Sequence, residues 1–283
     1  MSAITDIKEQ ISDLTTFKHI SAAFTEAAAV KLKNIREAFQ RNDRFYEEIN
    51  HIYHLVEMNA KKMNLDYKKG QTPQKTKRMF VALTSNQRFY GSLNLEIMKI
   101  FIRDSRGAEN DRIIIGATGE SYLLSTDTRL EYKRLPLKSD LPNETEMAQF
   151  LKMTENYDQV RIFYGKFVSF LKQEVGITDI TRKIALEEKK KAELEDEIHL
   201  LFEPEIDKMI KFFDTQVRQT LFKRVILETE LARTAARLLA MSQAEERTDT
   251  EIRQKKTILR KVSRSFTNAQ LLETFSGIKR WKH

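Results

Sequence analysis

The sequence predicts a mixed α/β protein in which long N- and C-terminal helices form an antiparallel coiled coil around a small central α/β domain. Three observations carry that expectation. Eleven of the twelve glycines and prolines fall between Gly70 and Pro204, and only Gly277 lies outside. Proline breaks helix interiors and glycine weakens them, so both flanks are free to be nearly continuous helix. Both flanks also repeat apolar residues at alternating spacings of three and four, whereas the middle alternates short apolar runs with helical patterns.

In residues 1–72 the apolar series is Ile4, Ile7, Ile11, Leu14, then Ala28, Leu32, Ile35, Phe39, then Tyr46, Ile49, Tyr53, Val56. These positions share one heptad frame, the seam of a coiled coil. Lys18, Ser21 and Thr25 interrupt it, and Asn42 is a further polar position within it. Phe17, Ile20, Phe24 and Ala27 supply a rotated stripe, which reads as a local change of partner. A helix of about 60 residues spans on the order of 90 Å, far beyond a small globular domain.

Residues 73–204 read as alternating strand and helix. Met79-Phe80-Val81-Ala82-Leu83 suits a buried strand, and a turn-rich stretch over 84–92 leads to a helical pattern through Leu93, Ile97, Ile100 and Phe101. Ile113-Ile114-Ile115 follows, ended by Gly116-Ala117-Thr118-Gly119, which reads as a turn between strands. Further strands are expected at Val160-Arg161-Ile162-Phe163-Tyr164 and over 167–171. The charged stretch 187–197 reads as a linker before a last strand, His199-Leu200-Leu201-Phe202, with Pro204 marking entry to the second long helix. Such alternation predicts a small, Rossmann-like α/β sheet.

Residues 205–283 return to the seam pattern: Ile210, Phe213, Val217, then Leu227, Leu231, Leu238, Met241, then Ile252, Leu259, Val262, Phe266. Arg224, Thr234, Glu245 and Lys255 fall in the same frame. Two long helices joined by a compact middle should pair antiparallel. Each buried Leu, Ile or Phe contributes roughly 1.5–3 kcal/mol to holding them together.

Composition narrows the function. The chain has no cysteine, which excludes disulfides and thiolate metal sites. No apolar run approaches the roughly 20 residues of a membrane helix. The start, Ile4-Thr5-Asp6-Ile7-Lys8-Glu9, is too mixed and charged for a signal peptide. The expectation is a protein that is soluble or docks peripherally on a membrane complex. The net charge of +8 is uneven: residues 205–283 carry 17 basic and 10 acidic side chains, whereas residues 73–204 carry 21 of each. Between Ile252 and Leu272 stand Arg253, Lys255, Lys256, Arg260, Lys261 and Arg264, with no acid. Such a stripe suits an acidic partner: nucleic acid, anionic lipid or an acidic protein surface.

No catalytic constellation emerges. Gly116-Ala117-Thr118-Gly119 lacks both the Lys-Ser/Thr of a P-loop and the three-glycine dinucleotide spacing. His51 and His54 are three apart on a helix, without an acid or third histidine to complete a metal site. The expectation is therefore no catalytic, cofactor-binding or metal-binding residue. Two other classes stay open: a basic coiled-coil scaffold or nucleic-acid-binding protein with an α/β insert, and a small α/β enzyme with helical arms. Sparse aromatic interleaving among the bases speaks against nucleic acid.

Six stretches resemble the gamma subunits of F-type ATP synthases, in order and along the whole chain. Residues 19–32 resemble K-I-T-K-A-M-K-M-V-A-A-A-K-L, residues 83–94 resemble L-T-S-D-R-G-L-C-G-G-L-N, and residues 164–169 are similar to Y-N-K-F-V-S. Phe202-Glu203-Pro204 matches F-E-P. Residues 230–241, with Ala235-Ala236-Arg237 and Ala240-Met241, resemble S-E-x-x-A-A-R-M-x-A-M. Gln270-Leu271-Leu272-Glu273 and Gly277 are similar to E-L-L-E-I-V-x-G. The chain departs from the pattern with Thr25-Glu26 for Lys-Met, Ser263-Arg264 for an Arg-Gln pair, and Arg88-Phe89-Tyr90-Gly91-Ser92 for G-L-C-G-G. A divergent synthase and the shaft of an F-type-like ATPase both fit these departures.

The resemblance implies a non-catalytic central rotor shaft at the axis of a ring of alpha and beta subunits. Its foot would face a membrane rotor ring and an epsilon-type subunit, without nucleic acid and without membrane insertion. It implies beta-subunit contacts at Glu26, Arg253, Lys255, Lys256, Arg260, Lys261 and Arg264. It also implies a foot or rotor-ring region at Arg88, Phe89, Tyr90, Gly91, Ser92 and Asn94. The expected location is the cytoplasmic face of a membrane, as a peripheral part of the complex.

Overall fold

The computed structural model describes residues 2–62, 77–107, 110–126, 130–181 and 206–280. The expected linker 187–197, the strand His199-Leu200-Leu201-Phe202 and Pro204 lie outside these residues. Helix α1 is Ser2–Lys62; then come β1 (Arg78–Leu83), α2 (Leu93–Asp104), β2 (Asn110–Ile115), α3 (Ala117–Ser125) and β3 (Lys133–Leu135). They are followed by α4 (Glu144–Thr154), β4 (Gln159–Phe167), β5 (Gln173–Asp179) and a final helix α5 (Ile206–Arg280). By internal contacts the chain divides into two units, residues 1–30 with 237–283 and residues 31–236.

In the first unit α1 and α5 run antiparallel. Gln10 meets Lys255 and Lys18 meets Asp249, so partners fall in number along α5 as they rise along α1. The seam is not interrupted where the polar residues stand. Ser21 is buried, Thr25 is half-buried, and Phe17, Ile20 and Phe24 of the rotated stripe face outward. The small Ser21 side chain and the long, paired Lys18 let the frame continue through these polar positions.

The second unit repeats the antiparallel order. The Asn42 amide donates to the Thr220 carbonyl (3.2 Å), Asp43 pairs with Arg224 (2.6 Å), and Lys31 pairs with Glu230. Here the helices pack on a five-stranded sheet of order β3-β2-β1-β4-β5, in which only β5 runs antiparallel. Five consecutive residues of β1 are buried, as expected for a parallel strand covered on both faces. Met79, Val81 and Leu83 join Tyr46, Tyr53 and Val56 of α1, Phe150 of α4 and Val217, Leu221, Phe222 and Val225 of α5. Phe80 and Ala82 point the other way, into a cluster with Leu93, Ile97, Met98 and Phe101 of α2 and Leu123 of α3. That alternation is the period-two geometry of a strand. Phe150 stacks on Phe222 with ring centroids 4.3 Å apart.

Two local expectations are corrected. Gly116-Ala117-Thr118-Gly119 is not a turn between strands: Gly116 is the N-cap of α3. Gly116 sits at φ +101, and a Cβ there would come within 2.3 Å of the Thr84 carbonyl oxygen, so the chain turns from β2 into α3 against β1. Residues 167–171 are not a separate strand either. β4 ends at Phe167 and a turn follows, closed by Val168 N–H donating to the Lys172 carbonyl and Lys172 N–H to the Ser169 carbonyl. Val168, Phe170 and Leu171 are exposed there, so an apolar run that reads as a strand forms a hairpin tip.

Candidate interaction surfaces

The basic stripe lies on the α5 part of the first unit. Arg253, Lys256, Arg260 and Arg264 are spaced three, four and four apart, which brings them to one helical face. All four are exposed, as is Lys261, whereas Lys255 is half-buried. Arg253 pairs with Asp249 at 2.8 Å, and the Lys255 ammonium donates to the Gln10 side-chain carbonyl at 2.8 Å. Asp249 also takes Lys18 at 2.6 Å, and that hydrogen bond is the main cause holding its carboxyl below the usual value. Among the described residues Lys256, Arg260, Lys261 and Arg264 have no hydrogen-bonding or ionic partner, so their charge is available to an acidic surface.

Glu26 is exposed on α1 in the same unit, but it does not join the stripe. Gln10, level with Lys255, precedes Glu26 by sixteen residues, about 24 Å of helix. Nearer to Glu26 is the outward apolar stripe of Phe17, Ile20 and Phe24, with the Arg237 guanidinium 5.9 Å from the Phe24 ring centroid.

The loop over 84–94 belongs to the second unit. Arg88, Phe89, Gly91 and Ser92 are exposed; Tyr90 and Asn94 are buried. The Tyr90 hydroxyl donates to Asp140 at 3.1 Å and the Asn94 amide donates to Ser85 Oγ at 2.8 Å, so these two hold the loop instead of presenting it. Asn86 pins the loop at three points. Its N–H donates to Asp140 (2.6 Å), its Nδ2 to the Leu137 carbonyl (3.3 Å), and its Oδ1 accepts from Ala117 N–H (3.0 Å). Phe89, 59% exposed, is held at φ +70, an unusual backbone for a bulky residue.

Behind this loop stands a group of charges that sequence reading does not single out. Arg233 and Glu230 on α5 are buried, with Arg233 Nη1 3.6 Å from Glu230 Oε2. Arg233 Nη2 donates to the carbonyls of Leu83 (3.1 Å) and Thr84 (2.6 Å) at the end of β1. Lys31 of α1 reaches the other oxygen of Glu230. Burial, first of all, pushes the Arg233 guanidinium below its usual value, against the opposing pull of Glu230. A second link joins β4 to α5: the Tyr164 hydroxyl donates to Glu228 at 3.0 Å. Burial raises both groups, Tyr164 to about 12 and the Glu228 carboxyl above its ordinary range.

Among the described residues no three metal-ligating side chains come together, and no helix is long and apolar enough to cross a membrane.

A family model described as ATP synthase matches residues 3–279. Among curated proteins, the ATP synthase gamma chain of Clostridium kluyveri is 28% identical over 254 residues, covering 86% of each chain. That of Clostridium acetobutylicum is 26% identical, covering 84% of each. Among solved structures, the fold is similar to a chain of the central stalk and c-ring of the Tetrahymena thermophila mitochondrial ATP synthase. The TM-score is 0.59 at 21% identity, over 80% of this chain and 99% of that one. A chain of the Euglena gracilis mitochondrial ATP synthase is similar at a TM-score of 0.55 and 15% identity, over 89% of this chain and 94% of that one.

Proposed function

The chain belongs to the ATP synthase gamma-subunit family, and from that premise we propose that it turns as the central shaft of an F-type ATP synthase or ATPase. It is a non-catalytic subunit, linking rotation of an ion-driven membrane ring to conformational change at catalytic beta subunits. The observation that carries this reading is the family match over residues 3–279, which takes in both long helices and the sheet between them.

The mechanism follows from asymmetry. A pair of helices inside a ring of alpha and beta subunits presents a different face to each beta subunit. Differential contact free energy biases each nucleotide site towards a different conformation, and turning the shaft exchanges the roles. The functional division proposed is 1–72 and 205–283 as shaft and 73–204 as foot. The exposed face of Arg253, Lys256, Arg260, Lys261 and Arg264 meets acidic beta-subunit loops, supported by its four cations without partners among the described residues; Lys255 and Glu26 are secondary contacts. Arg88, Phe89, Gly91 and Ser92 face the rotor ring and an epsilon-type subunit, with Tyr90 and Asn94 bracing them. The protein works peripherally, on the cytoplasmic face of the membrane, with no role for nucleic acid.

Co-expression with the alpha and beta subunits of its own source tests the reading. Leu171→Cys, in a chain with no native cysteine, gives a unique handle for a rotation probe. The expected result is a complex whose probe turns in one direction during ATP hydrolysis, while the isolated chain hydrolyses no ATP and binds it weakly by calorimetry. A catalytic ring that assembles without the chain and hydrolyses ATP equally well, or tight ATP binding by the isolated chain, refutes it.

A further inference from the structure

We propose that Lys31 and the buried Glu230 and Arg233 form a clamp through which torque passes between the foot sheet and the shaft helices, with Arg233 as its positioning residue. The inference rests on the rotor reading and adds the place where the load crosses. Leu231 to Ala236 are six consecutive buried residues, so α5 is enclosed on all sides at this level. Much of what encloses it is apolar, and apolar contact is non-directional: it favours two faces meeting without specifying which backbone groups are held. Turning a foot about a shaft is a sliding load. Hydrogen bonds are directional, and Arg233 Nη2 alone donates to the carbonyls of two successive residues, Leu83 and Thr84.

The grip continues on both sides. Towards the helices, Glu230 ties Arg233 to Lys31, so α1 and α5 are loaded together. Towards the foot, the Thr84 hydroxyl donates to the Ile115 carbonyl (2.7 Å) and accepts from Gly119 N–H (3.1 Å), which fixes the same residue to β2 and α3. Ser85 then holds Asn94 of α2. A Cβ at Gly119 would lie 2.6 Å from Thr84 Oγ1, so the fit leaves no slack there. Charges buried to this degree are costly and add little net stability over an apolar replacement, so a mechanical role explains them better than a stabilising one.

The test uses the assembled complex in membrane vesicles, carrying Arg233→Met, Arg233→Lys or the paired replacement Glu230→Leu with Arg233→Met. The paired variant keeps an apolar, well-filled site and guards against loss of folding. ATP hydrolysis should stay within about twofold for Arg233→Met and the paired variant, while ions moved per ATP fall at least about threefold. Arg233→Lys should recover part of the loss. Amide hydrogen exchange over 84–94 should accelerate in the isolated Arg233→Met chain. Unchanged ions per ATP in both variants, or equal losses of hydrolysis and transport, overturns the clamp and leaves the rotor reading standing. An unmodified complex that moves no ions during hydrolysis overturns the rotor reading itself.

Discussion

Replacing Glu230 by Leu measures how much the buried ionic group depends on being complete. The Glu230 and Arg233 side chains are each 1% exposed, whereas Lys31 is 42% exposed. Glu230→Leu leaves the Arg233 guanidinium in the interior with two carbonyls and, for counter-charge, the weaker pull of Asp140. Breaking a buried pair in this way costs about 3–5 kcal/mol. Arg233→Met alone leaves Glu230 with Lys31, which opens to water, so the loss is smaller, about 1–3 kcal/mol. The paired replacement removes both charges and fills the space, and should lie within about 1–2 kcal/mol of the parent, the difference being the lost hydrogen bonds to the Leu83 and Thr84 carbonyls. Urea unfolding of the isolated chain, followed by far-ultraviolet circular dichroism with a shared slope, reads the three differences as a cycle. A Glu230→Leu loss under about 1 kcal/mol, or a paired variant as unstable as the two single losses added, refutes the reasoning.

Reversing Arg253, Lys256 and Arg260 to Glu should lower ATP hydrolysis by the complex or weaken assembly at low salt, and reversing the exposed Lys33, Arg36 and Lys99 should do less; equal effects would reduce the stripe to a solvated face. Exposed ion pairs contribute only about 0–1 kcal/mol each, so the cluster is the unit to change. Glu228 has a raised carboxyl value, so the folded state holds its proton more tightly than the unfolded one. Stability should fall as pH rises from 4.5 through the raised value. Glu228→Gln should flatten that fall in unfolding curves taken across this range, and an unchanged slope would exclude Glu228 as its source. Phe222→Ala, which empties the stack on Phe150, should cost about 3–5 kcal/mol, whereas Phe212→Ala at a 58% exposed position should stay within about 0.5 kcal/mol, both by urea midpoint.

The helical flanks were legible because a heptad frame is a local repeat. Every expected seam position on α1 from Ile4 to Val56 is buried or half-buried, and on α5 only Phe266 is exposed. The strands at β1, β2 and the start of β4 were legible as apolar runs. Helix α4 does not stand out in the apolar pattern, although Asn143 and Glu146 form a capping box whose spacing stands in the sequence. Helix α3 gave no such signal, since Gly116 and Gly119 read as turn formers until Thr84 is placed beside them. The tip at 168–171 reads as a strand because exposed and buried apolar residues look alike along a chain. Arg233 and Glu230 could not be singled out: what distinguishes them from other helix charges is the end of β1, some 150 positions earlier.

The two-sided burial of β1 also bears on how this protein can change over generations. Deleting or inserting one residue between Met79 and Leu83 would exchange the side chains sent to the two clusters, Phe80 and Ala82 trading places with Met79, Val81 and Leu83. Both interiors would be misfilled at once, and the carbonyls that Arg233 reaches would shift out of line. The strand is therefore open to substitution but closed to changes of length. Variation in length among descendants of this sequence should gather where the chain can absorb it, as at the exposed hairpin tip between Phe167 and Lys172.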